Sequence, residues 1–161
     1  MQARGFYIIS DEFFTDFPDP FLKGNKGGSR PHYYYLKGSN GLFWIVPTSG
    51  MHEKYQNIIN KRIALGKPTD FLHVAKLDNG RKTAFLIGDM FPVTKNYVLR
   101  EYTFNGNHLR VTSDRLALQI GRKSKIVLGL LRRGDRFSPT QPDALKIEQA
   151  LLACQREIPE S

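Results

Sequence analysis

The residues best suited to chemistry stand at Val46-Pro47-Thr48-Ser49-Gly50, where an aromatic strand run ends at a proline and two hydroxyl residues open a helical pattern. A helix N-terminus offers unpaired backbone N–H groups and the positive end of its dipole, so it suits an anion such as a phosphodiester. Gly50 would let such a group approach closely. Lys54 and His52 fall within the first turn or so, while Arg30, His32 and Tyr33 come from the partner strand and could reach the same end. These side chains hold the parts for cutting RNA without a metal. The ribose 2′-oxygen must lose a proton as it attacks phosphorus, the 5′-oxygen must gain one, and fixed donors must meet the charge growing on the phosphoryl oxygens. Each residue also has an ordinary structural reading. A Ser or Thr before a helix is most often a cap, worth ~1 kcal/mol, and His32 among Tyr33, Tyr34 and Tyr35 fits strand packing equally well.

Other chemistries find less support. The histidines (His32, His52, His73, His108) include no pair at the i, i+4 spacing of a zinc-binding helix, and the acids are scattered singly or lie near the N-terminus. The lone Cys154 excludes a disulfide framework and thiolate zinc sites. There is no GxxxxGK[ST] loop and no GxGxxG after a strand, and GNKGGS lacks the required spacing. Neither a metal nor a cofactor is expected.

The elements that must position these residues read as one domain spanning 1–161. The chain has 161 residues, 40% hydrophobic and 12% aromatic, enough for one core and too little for two. Strand runs fall at Gly5 to Ser10, His32 to Lys37, Leu42 to Pro47, Phe71 to Leu77, Lys82 to Gly88 and within Tyr97 to Phe104. Gly38-Ser39-Asn40-Gly41 and Asp78-Asn79-Gly80 predict hairpins. Asp11 to Pro20 is acidic and proline-punctuated, and Lys23 to Ser29, with three glycines and no apolar residue, predicts a mobile loop. Helices are expected over about 51–65, with a stripe of Met51, Tyr55, Ile58, Ile59 and Ile63; over about 113–133; and from a capping box at Thr140-x-x-Asp143 onward. The fold class is therefore α+β, a curled antiparallel sheet or small barrel with about six strands and about three helices.

Charge points to the partner. The chain carries 24 Lys+Arg against 15 Asp+Glu, a formal +9, and the excess is concentrated. Residues 108–136 hold Arg110, Arg115, Arg122, Lys123, Lys125, Arg132, Arg133 and Arg136 against Asp114 and Asp135 only. A solvated helix face is the common origin of such a run, but this density of one sign favours a polyanion. No run approaches a membrane span and no secretory leader is visible, so a cytoplasmic protein with no membrane partner is expected.

The chain resembles the endoribonuclease toxins of type III toxin–antitoxin systems, the ToxN/AbiQ group and most nearly its CptIN branch. The resemblance is carried by FYIIS at Phe6 to Ser10, RPHYY at Arg30 to Tyr34, WIVPTSG at Trp44 to Gly50 with Lys54-Tyr55, LHVAKLDNG at Leu72 to Gly80, AFLIGDMFPVT at Ala84 to Thr94, GNHLR at Gly106 to Arg110, and the LLRRG and SPTQPDALKIE stretches. These span nearly the whole chain in order. The resemblance implies a MazF/Kid-like bent sheet akin to an SH3-like barrel. It implies metal-independent cleavage of mRNA to a 2′,3′-cyclic phosphate. It also implies inhibition by a small antitoxin RNA cut by the toxin from a tandem-repeat precursor and held in a closed toxin–RNA hetero-oligomer.

Carried over by position, the family's essential hydroxyl falls on Ser49, with Thr48 as the alternative, and its lysine on Lys54. This chain has Gly50 where many relatives have a second hydroxyl, and Lys54 lies farther from the turn than their lysine does. His32 is expected as the proton-transfer group because an unperturbed imidazole titrates near neutrality, with His52 behind it. Arg110, Arg115, Arg122, Lys123, Lys125, Arg132 and Arg133 would bind the RNA backbone, with stacking from tyrosines such as Tyr33 near Arg30. The alternative is a non-catalytic basic RNA-binding module in which Thr48 and Ser49 merely cap a helix. A DNA-binding regulator has no helix-turn-helix spacing to support it.

Overall fold

A computed structural model describes residues 1–157. The chain order is β1 (Phe6–Ile9), α1 (Asp11–Asp16), β2 (His32–Lys37), β3 (Phe43–Ser49), α2 (His52–Ala64), β4 (His73–Lys76), β5 (Lys82–Phe85), a 3-10 turn (Ile87–Asp89), β6 (Phe91–Val93), a second 3-10 turn (Lys95–Tyr97), β7 (Val98–Glu101), β8 (Thr103–Phe104), β9 (Asn107–His108), α3 (Asp114–Arg132) and α4 (Ala144–Glu157). Seven strands form one antiparallel sheet in the order β4-β5-β3-β2-β1-β7, with β6 also paired to β3, while β8 and β9 form a separate ribbon. The α+β class with a bent antiparallel sheet is as the sequence predicts.

Strand β3 organises the sheet. One edge pairs with β2, from Phe43 opposite Lys37 to Pro47 opposite His32. The other edge is shared: Phe43 to Ile45 pair with β6, and Thr48 and Ser49 pair with β5. The changeover falls at Val46 and Pro47. A proline has no N–H for the ladder, so pairing cannot run unbroken through it, and the Pro47 carbonyl instead accepts from Leu86 N–H at 2.8 Å. A register shift between Tyr34 and Leu36 of β2 bends the same region.

The inner face is aromatic. Trp44, Phe6, Phe13, Phe85 and Phe91 are fully buried with Ile8, Ile9, Ile45 and Ile87, and α3 contributes Leu116, Ile120, Val127 and Leu131. Helix α4 packs on β6 and α3. Both expected hairpins form. In the second, Leu77 and Arg81 close the turn at 2.9 Å and Gly80 takes φ 80°, a conformation that favours glycine.

Four local expectations change. The acidic stretch after β1 forms the short helix α1, because turning once there drops Phe13 into the core. The Lys23 to Ser29 segment is an ordered loop. The Asn25 carbonyl accepts from the N–H groups of Gly28, Ser29 and Arg30 at 3.1, 3.0 and 2.8 Å, and the Asn25 amide donates to Ile9 O at 2.8 Å. Helix α4 is capped by Asp143, whose carboxylate accepts from Lys146 N at 3.2 Å, not by Thr140. The apolar stripe of α2 is mostly uncovered: Ile59 is buried, but Met51 and Ile63 are more than half exposed, because the helix rests only on the short β4–β5 pair.

Candidate functional site: two neighbouring basic clefts

Thr48 and Ser49 belong to the end of β3 rather than to a helix cap. They stay extended because β5 pairs with them, and the helix starts three residues past Ser49, after Met51 as its N-cap residue with no side-chain cap bond. Thr48 is buried, and its hydroxyl donates to Pro31 O at 2.6 Å. The Arg30 guanidinium donates to Thr48 O at 2.6 Å. These two bonds staple the start of β2 to the end of β3. Ser49 Oγ accepts from Met51 N at 3.2 Å, which leaves its own O–H to donate elsewhere.

Around this staple lies a cleft of about 200 Å³, lined by Ser49 and Gly50, by Lys26, Ser29 and Arg30 from the ordered loop, and by Asn79, Arg81, Lys82 and Thr83 from the β4–β5 hairpin. A Cβ added to Gly50 would meet nothing within 4 Å, so the space beside it is open. Lys26, Arg30, Arg81 and Lys82 bring four cations, and no acidic residue lines the cleft. None of the four joins an ion pair among the described residues. Arg30 is 7% exposed with its Nε unpartnered, and burial holds its pKa below the usual guanidinium range against the opposing pull of Tyr55 and Asp89. Uncompensated cations, one of them buried, around a hydroxyl with a free proton are what an oxyanion needs.

A second cleft of about 420 Å³ has a different lining: Lys23, the α2 residues Lys54, Tyr55, Ile58, Lys61 and Arg62, then Phe71, Asp89 and the Phe137 to Thr140 segment. Burial raises the Asp89 carboxyl to about 6, with Lys23 and Arg30 pulling it back. Arg30 therefore lines the first cleft while its charge is felt in the second.

The expected residues separate accordingly. Ser49, Thr48 and Arg30 meet at the first cleft, but Lys54 lines the second, so the Ser49–Lys54 pair does not share one cleft. His52, half-buried at the start of α2, lines neither. His32 lines neither cleft. Its ring is 1% exposed and packed on Phe14 and Phe91, and burial with the Arg30 charge lowers its pKa to about 3. Tyr33 is not a stacking platform either, since it is buried between Phe6 and Phe85 with its phenol raised to about 12 by burial.

The basic helix divides as well. Lys123 turns inward, donating to Leu72 O at 3.0 Å and lying 3.0 Å from His73 Nδ1. Arg132 pairs with buried Glu148, one bond at 2.8 Å, and its guanidinium lies 5.5 Å from the Trp44 ring centroid. Lys123 is thus tied to the start of β4, and Arg132, though still about half exposed, ties α3 to α4 through Glu148. Arg115, Arg122 and Lys125 remain exposed on α3, as do Arg110 and Arg133, the last paired with Asp135 at 2.7 Å. None of these lines either cleft. The sequence reading missed Lys26, Ser29, Arg81 and Lys82. The only local signal was two cations directly after an Asn-Gly turn; that this hairpin tip meets the glycine loop is a tertiary fact.

No family model and no curated protein sequence matches the chain. Solved structures do, and the class they define is that of type III toxin–antitoxin toxins. AbiQ, a lactococcal anti-phage endoribonuclease belonging to the type III toxin–antitoxin system, superposes with TM-score 0.74 over 97% of this chain and 100% of its own, at 11% identity. A bacterial type III system, described for selective toxin inhibition by a non-coding RNA pseudoknot, gives TM-score 0.58 over 98% of this chain and 100% of that one, at 13% identity. The chain has the fold of these toxins from end to end.

Proposed function

We propose that this chain is an endoribonuclease toxin of the type III kind. It cuts mRNA and the repeat precursor of its own RNA antitoxin by 2′-hydroxyl attack, without a metal, and the processed antitoxin RNA holds it inactive in a closed assembly. The observation that carries this reading is the Ser49 cleft: a hydroxyl with a free proton at the end of β3, four cations from two other chain segments and no lining acid, on the toxin fold.

In the reaction, the 2′-oxygen attacks phosphorus as the P–O5′ bond breaks. Ser49 donates to a phosphoryl oxygen, and Arg30, Lys26, Arg81 and Lys82 meet the charge that grows there. Thr48 positions Arg30 through its carbonyl. His52, three residues past Ser49 and half-exposed although it lines neither cleft, takes the 2′-proton and returns one to the 5′-oxygen, a task that sealed His32 cannot perform. Lys54 engages the next phosphate along. The exposed Arg110, Arg115, Arg122, Lys125 and Arg133 hold backbone phosphates of the antitoxin RNA.

The test is cleavage of a labelled RNA in excess EDTA. Fragments ending in a cyclic phosphate are expected, and Ser49→Ala should cut roughly 10²-fold or more slowly with RNA binding retained. His52→Ala should lower the rate and alter its pH profile. Equal cutting by wild type and Ser49→Ala, or none by either while RNA stays bound, would leave only a binding module.

A further inference from the structure

The second cleft contains a carboxylate that the reaction above does not use. Asp89 is the sole acid among the residues lining it. Its backbone N–H is tied to Leu86 O at 3.0 Å, so its place is fixed, yet it joins no ion pair among the described residues. The wall beside it is aromatic. Phe71 and Phe137 stack at 6.1 Å and 27°, with Arg62 4.6 Å from the Phe71 ring centroid. Gly88 is required for that wall, because a Cβ there would lie 2.8 Å from the Phe137 ring and 3.0 Å from Phe71 Cβ. Lys23, Lys54 and Lys61 surround it. A space of about 420 Å³ falls within the usual range for small-ligand sites.

We propose that this cleft seats one unpaired RNA base bearing an exocyclic amino group, with Asp89 accepting from that amine and the aromatic wall contacting the base. The inference rests on the RNA reading above and adds a specificity to it. An ionised carboxylate only accepts hydrogen bonds. Adenine, cytosine and guanine each offer an amino donor on their pairing edge, whereas uracil offers one N–H between two carbonyl oxygens, which the carboxylate repels. Planar bases on aromatic rings with edge-on hydrogen bonds are the general mode by which unpaired RNA is read. The lysines neutralise the flanking phosphates, which gives Lys54 a function away from Ser49. Gly50, just before α2, lines the first cleft and Lys54, in the first turn of α2, the second, while Arg30 of the first cleft acts on Asp89 of the second, so the two clefts are neighbours and successive nucleotides of one strand span them.

The probe is each of the four ribonucleoside 5′-monophosphates, titrated into isotope-labelled protein and followed by amide NMR. AMP, CMP and GMP are expected to shift signals from Lys54 to Arg62, Ile87 to Asp89 and Phe137 to Thr140, with UMP binding roughly 10-fold more weakly, the worth of one charge-assisted hydrogen bond. Asp89→Asn, which offers an amide donor to uracil, should melt no lower than wild type and lose the discrimination. Equal binding of all four nucleotides, unchanged selectivity in Asp89→Asn, or shifts confined to Ser49 and Arg81 would overturn the proposal. The EDTA cleavage assay separates the two claims. Amino-base selectivity without cutting overturns the nuclease reading and keeps this subsite; cutting indifferent to Asp89→Asn does the reverse.

Discussion

His32 shows how one side chain's surroundings override its intrinsic chemistry. Unfolded, its imidazole titrates near 6.5; folded, sealed against Phe14 and Phe91, it does so at about 3. Between those values the unfolded chain binds more protons, so stability falls as the solution is acidified below 6.5, by up to about 1.4 kcal/mol per pH unit. His73, lowered to about 4 by burial and by Lys123, adds a second contribution of the same sign. Asp89 acts oppositely. Raised from 3.8 to about 6, it makes the native state the better proton binder in that window, and its contribution to stability falls as pH rises through it. Two histidines outweigh one carboxylate, so denaturation midpoints should drop from pH 7 to pH 5. His32→Leu, of similar volume, should flatten that dependence and leave RNA cleavage at pH 7 intact. A cleavage rate that collapsed in His32→Leu with the fold preserved would return the catalytic role to this residue.

At the scale of elements, the Asn25 loop and helix α3 give contrasting expectations. Asn25→Ala removes the buried bond from the Asn25 amide to Ile9 O and should cost about 1 kcal/mol. It should also slow cleavage, because Lys26, Ser29 and Arg30 are positioned by the same turn. Urea denaturation and a rate measurement together check it. On α3, charge alone does not tell a structural cation from a binding one. Arg132→Ala strands a buried Glu148 and should lower stability by roughly 1.5–3 kcal/mol. The triple change Arg115→Ala, Arg122→Ala and Lys125→Ala should leave stability alone. It should weaken RNA binding without regard to base sequence and flatten the salt dependence by about 0.7 for every phosphate that is no longer neutralised. Filter binding across a salt series distinguishes the two outcomes.

For the whole molecule, on the proposed function, a net charge of +9 with exposed cations on α3 outside the two basic clefts gives RNA more than one place to bind on one protein. An RNA that reaches from the clefts of one copy to the helix of another closes an assembly rather than coating a monomer. Mixing the protein with its repeat RNA should therefore give one discrete species heavier than a one-to-one complex, read by light scattering. A simple one-to-one complex would remove the closed assembly from the proposal. Among the described residues no helix is long and apolar enough to cross a membrane.

Much of this architecture was legible along the chain because its determinants are local. Alternating aromatic runs, Asn79-Gly80, and the Ser113 cap that accepts from Leu116 N at 3.2 Å each specify an element by backbone chemistry within a few residues. Pro47-Thr48-Ser49 stood out as a candidate for phosphate chemistry as the opening of a helix, where the structure has the end of a strand. What tertiary structure alone decided was which neighbours those residues keep. Pairing with β5 held Thr48 and Ser49 in a strand, aromatic packing sealed His32, Leu72 drew Lys123 inward, and Glu148 paired with Arg132. Lys26, Arg81 and Lys82 came to Ser49 from segments distant in the chain. Burial and charge environment are sums over everything that surrounds a group in space, and sequence spacing does not carry that sum.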